Sequence, residues 1–327
     1  MELLTKKKLT LVSGRSNRPL AEEIAAELGE ALGPVELSAF ANGELHCRYG
    51  ESIRGSDVFI IQTHASCDGL SINDAIMEHL IMVDAARRAS AKRITVVAPF
   101  FGYARQDRKA EGREPITAKL LANMFATAGA KRLVSVDLHS GQIQGFFDGP
   151  VDHLTAMPVL VEWMEENLDG DLVMVSPDAG RVKVAERYAN RLEADLAIVH
   201  KRRIKGEKHL VEAREVVGEV EGRTCVLIDD MIDTAGTIVA AAEQLKAHGA
   251  KHVYAAATHG VFSDPAIDRL KNSVLEKLVV TNTLPLPPDK DIDKIEVLSA
   301  ARIIADALDA VFEDTSVSEI FDGANQS

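Results

Sequence analysis

Residues 226–237 read Val-Leu-Ile-Asp-Asp-Met-Ile-Asp-Thr-Ala-Gly-Thr, and their order suggests chemistry. A short apolar run, Thr224–Ile228, reads as a strand and stops at two adjacent carboxylates, Asp229 and Asp230. A loop of small and polar residues follows, Asp233, Thr234, Ala235, Gly236 and Thr237, then a helix-like stretch from Ile238 to His248. Backbone amides and hydroxyls at a strand-to-helix turn, facing a helix N-terminus, cradle a phosphate dianion. Two acids just before such a cradle can accept hydrogen bonds from sugar hydroxyls. The order therefore points to a sugar-phosphate site. A strand end, a turn and a helix cap form the plainer alternative.

An anionic substrate must be met by cations, and the chain as a whole is acidic: 37 Lys and Arg against 50 Asp and Glu, a net charge of −13. That balance argues against a general nucleic-acid or anionic-membrane binder. Two segments concentrate positive charge locally. Phe100–Pro115 carries Arg105, Arg108, Lys109 and Arg113, with Gly102 and Gly112 permitting movement. The run His200 to His209 carries Lys201, Arg202 and Arg203. Each follows an apolar run, and each reads equally as a solvated charged loop. Across a cleft from the sugar-phosphate loop, Lys201 and Arg203 would neutralise phosphoryl charge in a transition state. His139 and Asp178 each sit just past an apolar run and would meet at one magnesium ion if those ends converged. Magnesium prefers oxygen, so the residues alone leave that pairing open.

The elements that hold these residues alternate between short apolar runs and amphipathic stretches. Strands are expected at Leu9–Val12, Asp57–Gln62, Arg93–Ala98, Lys131–Asp137, Leu172–Ser176, Leu196–His200, Lys251–Thr258 and Lys277–Thr281. Helices are expected at Pro19–Leu32, Ile72–Ala89, Ile116–Ala128, Met157–Asn167, Val182–Leu192 and Ala300–Phe312. Such alternation means mainly parallel sheets covered by helices on both faces, with ligands outside the carboxyl ends of the strands. At 327 residues the chain suits two domains. Each half has a strand ending in Asp and then a small-residue loop, and a boundary near Gly149–His153 separates residues 1–150 from 151–327.

Three cysteines, Cys47, Cys67 and Cys225, fit no metal spacing and suggest no disulfide framework. No apolar run is long enough to span a bilayer, and Met1–Lys8 does not lead into a signal-peptide pattern. A cytoplasmic location is the expectation. Gly14 is followed by Arg15, Ser16 and Asn17, which rules out a Gly-x-Gly-x-x-Gly dinucleotide turn after the first strand.

Taken together the segments resemble the ribose-phosphate diphosphokinase family over nearly the whole chain. The anchors, in order, are Phe40-Ala-Asn-Gly-Glu44, Tyr103-Ala-Arg-Gln-Asp107, Asp137–Phe147, Ser176-Pro-Asp-Ala-Gly180, His200-Lys-Arg, Asp229–Thr237 and Thr258-His-Gly260. The resemblance implies two similar phosphoribosyltransferase-type α/β domains, each a mainly parallel sheet flanked by helices, with the ribose 5-phosphate loop in the second. It implies transfer of the diphosphoryl group of ATP to the C1 hydroxyl of ribose 5-phosphate, giving 5-phosphoribosyl 1-diphosphate and AMP. In that scheme Arg203, Asp229, Asp230 and Asp233 to Thr237 hold ribose 5-phosphate. Arg105 and Gln106 contact ATP, with Phe40, Asn42, Gly43 and Glu44 supplied by a neighbouring subunit. His139 and Asp178 bind Mg2+, and Lys201 and Arg203 lie on a flexible catalytic loop. The resemblance also implies a phosphate-activated homohexamer, with Ser52, Arg54, Ser316 and Ser318 at a regulatory phosphate site.

One residue departs from the family pattern. Many members have a second glycine after Gly180, and here it is Arg181. A bulky cation there would narrow a diphosphate loop or add charge to it. Two other readings share the sugar-phosphate loop: a phosphoribosyltransferase that consumes the diphosphate, and a non-catalytic regulatory partner. The first would not need the Phe40, Arg105 and Lys201 segments. The second would have lost His139, Asp178, Lys201 and Arg203, all of which are present.

Overall fold

A computed structural model describes residues 7–67, 69–203 and 212–321, with backbone alone at 201–203 and 212–214. The chain forms two compact units: Met1–Thr155 with Thr283–Pro285 and Ser299–Ser327, and Ala156–Asn282 with Leu286–Leu298. In chain order the first unit begins with β1 (Leu9–Ser13), α1 (Arg18–Glu27), β2 (Val35–Ala39), β3 (Leu45–Tyr49) and β4 (Asp57–Ile61). It continues with α2 (Ile72–Arg88), β5 (Arg93–Ala98), α3 (Thr117–Ala128), β6 (Arg132–Val136) and β7 (Val151–Leu154). The second unit opens with α4 (Met157–Asn167), β8 (Leu172–Ser176), α5 (Val182–Arg191), β9 (Asp195–Arg203) and β10 (Glu212–Val217). Then come β11 (Thr224–Ile232), α6 (Gly236–Ala247), β12 (His252–Gly260), α7 (Ala266–Lys271), β13 (Leu278–Thr281) and β14 (Ile295–Leu298). The last helix, α8 (Ala301–Glu313), returns to the first unit.

The first sheet is wholly parallel, in the order β1-β4-β5-β6-β7. Its strands are mostly apolar and buried along nearly their whole length because both faces are covered. Val58 and Ile60 of β4 join Ile76, Leu80 and Val83 of α2 and Phe125 of α3 in one core. Phe59 and Ile61, pointing the other way, are buried as well. Each such side chain contributes roughly 1.5–3 kcal/mol by leaving water. Ser71 starts α2 with a capping box: its hydroxyl accepts from Asp74 N–H while the Asp74 carboxylate accepts from Ser71 N–H. The second sheet has the order β10-β9-β8-β11-β12-β13-β14 and is parallel except for the β9–β10 pair.

The expected division between 150 and 151 differs from these units at both ends of the second one, and Thr283–Pro285 also belongs to the first. β7 pairs with β6, so the first sheet continues to Leu154. α8 packs on α1, so the C-terminus belongs with the N-terminal unit. The expectation also lacks a two-stranded antiparallel pair, β2 with β3, whose turn holds Phe40–Glu44.

Candidate active site

The order of the second sheet locates a site. From β8 the chain moves outward through β9 to β10; from β11 it moves the other way through β12 and β13 to β14. The winding therefore reverses between neighbours β8 and β11. Open α/β sheets bind ligands outside the carboxyl ends of the strands at such a reversal. The loops leaving these two strands carry Asp178 and the Asp233–Thr237 segment.

β11 does not stop at Ile228. Met231 and Ile232 are buried and pair with His259 and Gly260 of β12, which carries the strand past both acids. Asp229 and Asp230 are thus strand residues, with side chains only 17% and 7% exposed. The turn after them is closed by Ala235 in the left-handed region, φ 58°, and α6 starts at Gly236, two residues before the expected Ile238. The N-cap residue Ala235 supplies no side-chain cap to α6, and the positive end of the helix dipole faces the loop. Arg269 of α7 braces the loop from below, its Nη1 donating to the Thr234 carbonyl at 2.9 Å. That same nitrogen lies 3.1 Å from where a Cβ on Gly236 would stand. Gly236 is thus small because the brace occupies the space, and Arg269 carried no signal in the sequence.

The acids are held by Arg181. Its Nε lies 3.3 Å from Asp229 Oδ1 and its Nη2 2.6 Å from Asp230 Oδ1. Asp230 N–H also donates to Asp229 Oδ1 at 2.8 Å. Burial pushes the Asp229 carboxyl well above the usual carboxylate range, and the Asp230 charge adds to this, while Arg181 and the amide work against it. Arg181 therefore turns its cation to the two acids. Asp178 stands three residues before it in a closed turn: Gly180 N–H donates to its Oδ1 at 2.7 Å, and Ser176 Oγ donates to its carbonyl at 2.6 Å.

Lys201 and Arg203 fall in β9, not on a loop beyond a strand. β9 runs to Arg203 because β10 pairs antiparallel with it, Glu212 opposite Arg203 and Arg214 opposite Lys201. Their side chains, and the remainder of the expected loop at 204–211, lie outside the described residues.

In the first unit, Phe40, Asn42, Gly43 and Glu44 form the turn between β2 and β3. Phe40 N–H donates to the Glu44 carbonyl and Gly43 N–H to the Phe40 carbonyl, both at 2.8 Å. Glu44 N–H donates to Asn42 Oδ1 at 3.2 Å, and Gly43 supplies the positive φ of 90°. Asn42 and Gly43 thus build the turn, and Phe40, 58% exposed, is the group it presents.

Arg105 and Gln106 are exposed. Gln106 has structural work of its own: its Oε1 accepts from Thr117 Oγ1 at 2.6 Å and its carbonyl from Ala118 N–H at 3.2 Å, anchoring the start of α3. The neighbouring Asp107 is buried and accepts from Ser140 Oγ at 2.5 Å and Gln142 Nε2 at 2.8 Å. It ties the Arg105 segment to the loop after β6 that carries His139. Sequence reasoning gives Asp107 no role: it is one of three acids in the basic segment, with Glu111 and Glu114, and nothing in the pattern sets it apart.

Ser52, Arg54, Ser316 and Ser318 belong to the first unit. Lys8 Nζ donates to the Ser52 carbonyl at 3.0 Å, and adjacent Lys7 donates to Asp314 at 2.7 Å. The Ser52 turn and the segment after α8 are therefore moored by neighbouring residues just before β1.

The family signature described as the N-terminal domain of ribose phosphate pyrophosphokinase matches residues 9–129, and that of the phosphoribosyl synthetase-associated domain matches 211–322. A ribose-phosphate pyrophosphokinase of Streptomyces avermitilis is 57% identical over 317 residues, 97% of this chain and 97% of its own. The chain belongs to the ribose-phosphate pyrophosphokinase family. A ribose-phosphate pyrophosphokinase of Corynebacterium glutamicum is 51% identical over 319 residues, again 97% of each chain. The crystal structure of phosphoribosylpyrophosphate synthetase from Mycobacterium smegmatis aligns with a TM-score of 0.88 at 50% identity, covering 94% of this chain and 100% of that one. Ribose-phosphate pyrophosphokinase membership accounts for both α/β units, and a Rossmann oxidoreductase is set aside.

Proposed function

We propose how this chain performs the reaction of its family. The reaction is diphosphoryl transfer: the C1 hydroxyl of ribose 5-phosphate attacks the β-phosphorus of ATP, giving 5-phosphoribosyl 1-diphosphate and AMP. The protein has little covalent work in such a step; it aligns two anionic substrates and stabilises moving charge.

The observation that carries the site assignment is the pair of largely enclosed acids followed by a small-residue turn and a helix start, at the reversal point of the second sheet. Asp229 and Asp230 accept from the ribose hydroxyls. Asp233, Thr234, Ala235, Gly236 and Thr237 receive the 5-phosphate, with Arg203 as a further contact. Arg105 and Gln106 contact ATP, and Phe40 with Asn42, Gly43 and Glu44 completes the adenine pocket of a neighbouring subunit. The exposure of Phe40 at a hairpin tip supports that sharing. So does an exposed apolar row of Ile116, just before α3, with Leu120 and Met124 on it, which self-association would cover. A hexamer is the assembly proposed.

Magnesium binds through one or two protein groups plus substrate phosphates. Asp178 offers an oxygen held in place by Gly180 N–H and fits that preference; His139 offers a nitrogen and fits it less well. When bound, the ion neutralises phosphate charge. Lys201 and Arg203 stabilise the charge that moves with the diphosphoryl group. Ser52, Arg54, Ser316 and Ser318 are proposed to bind activating phosphate. A cytoplasmic location is proposed as well; no helix among the described residues is long and apolar enough to cross a membrane.

Product analysis tests the reading. Purified protein with ATP, ribose 5-phosphate and magnesium is expected to yield AMP and a diphosphorylated sugar in equal amounts. ADP as the sole nucleotide product would make it an ordinary kinase.

A further inference from the structure

We propose that Arg181 is a positioning residue of the sugar site, one that holds Asp229 and Asp230 together so that both meet the ribose hydroxyls. This rests on the reading that those acids bind the sugar. Successive strand residues point to opposite faces, and both acids lie inside β11. Left alone, the two carboxylates would diverge, and their like charges would drive them further apart. The guanidinium opposes both tendencies. It touches Asp229 through Nε at 3.3 Å and Asp230 through Nη2 at 2.6 Å.

Both contacts use Oδ1, so one planar fork sets the direction of two carboxylates. The arginine comes from the residue that opens α5, directly after the β8 loop, and β8 is paired with β11. The reversal of winding thus brings an arginine from one crossover onto acids of the neighbouring strand. Charge points the same way. Negative charge on the two acids would repel a sugar phosphate dianion, and the Arg181 cation offsets it. At 15% exposure the guanidinium is too enclosed for water to replace it cheaply. Lysine would supply the charge without the fork.

The test compares the full-length variants Arg181→Gln, Arg181→Lys and Asp230→Asn with the unaltered protein. Steady-state rates give KM for each substrate and kcat, and calorimetric titration gives direct ribose 5-phosphate binding. Arg181→Gln is expected to raise KM and Kd for ribose 5-phosphate about tenfold or more, with KM for ATP within about twofold. Arg181→Lys is expected to recover part of the loss. Asp230→Asn sets the scale for the sugar site itself. Weakened sugar binding in Asp230→Asn with normal binding in Arg181→Gln would overturn the role of Arg181 and leave the sugar-site reading standing. Normal sugar binding in both would overturn the two together. Equal losses for ATP and sugar in Arg181→Gln would mark a general structural role and end the proposal. If Arg181→Gln does not fold, Arg181→Lys decides, and an unchanged KM for ribose 5-phosphate in that variant overturns it.

Discussion

The two ends of the second sheet use the same three side chains in opposite ways. At the amino end Arg223 reaches Asp171 through Nη2 at 2.5 Å and Asp195 through Nη1 at 2.8 Å. At the carboxyl end Arg181 reaches Asp229 and Asp230. The arginines are equally enclosed, at 14% and 15% exposure. The acids are not: Asp171 and Asp195 are 70% and 74% exposed, against 17% and 7% for Asp229 and Asp230. Water solvates the amino-end acids, so their ionisation costs little and the cluster staples strand starts together. At the carboxyl end burial raises Asp229 above the carboxylate range, and the neighbouring Asp230 adds to it, so ionisation there is costly. A sheet gains nothing in stability from that arrangement. Acids kept where their ionisation is costly fit the end proposed to meet the ligand.

The largest test of that contrast lies at the carboxyl end of β9. Lys201→Ala and Arg203→Ala are expected to lower kcat by on the order of 10²–10³, with ATP affinity little changed. Near-normal kcat in both would detach the basic segment from the mechanism. Next in size is the phosphate loop. Asp233→Ala and Thr237→Ala are each expected to weaken ribose 5-phosphate binding by roughly 1.5–3 kcal/mol, and equal losses for ATP would show the loop to be misassigned.

A smaller effect of opposite sign sharpens the comparison. Asp229→Asn is expected to weaken sugar binding while stabilising the fold by on the order of 1 kcal/mol at neutral pH. The folded pKa of Asp229 lies above its unfolded value, so the folded protein holds the proton more tightly. Stability is then lost as pH rises through that window, and the advantage of the variant in Tm grows from acid towards neutral pH. A constant Tm difference across pH would contradict this. The smallest effect belongs to the amino end, where Asp171→Ala is expected to cost less than about 1 kcal/mol and leave both KM values unchanged. A large change in activity there would erase the distinction between the ends.

Buried parallel strands were the most legible part of the sequence. β5, β8 and α4 match their expected bounds, because unbroken apolar runs and a Pro at a helix start are strong local signals. The β2–β3 pair was missed although its signs were present: Val35-Glu-Leu and Leu45-His-Cys alternate, and Asn42-Gly43 sits between them. Its half-exposed faces lack the apolar density that marks the other strands. The sequence ends β11 too early because acids read as a stop; the strand goes on through the pairing of Met231 and Ile232 with β12, and Arg181, 48 positions before Asp229, is a partner that no local pattern reveals. The loop residues proposed for the sugar site are picked out by type and order alone. The brace from Arg269 and the tether from Asp107 were not, since both act across loops joined only by folding.

The return of α8 to the first unit has a consequence for the birth of the protein. Residues 156–298 hold the second unit entire, so it has all its strands while the ribosome is still translating. The first unit begins earlier and finishes later: α1 waits for α8, and Lys7 and Arg93 wait for Asp314. The half of the chain made first is therefore the half completed last, and a message cut short near its 3′ end would leave the N-terminal sheet, not the C-terminal one, without its cover.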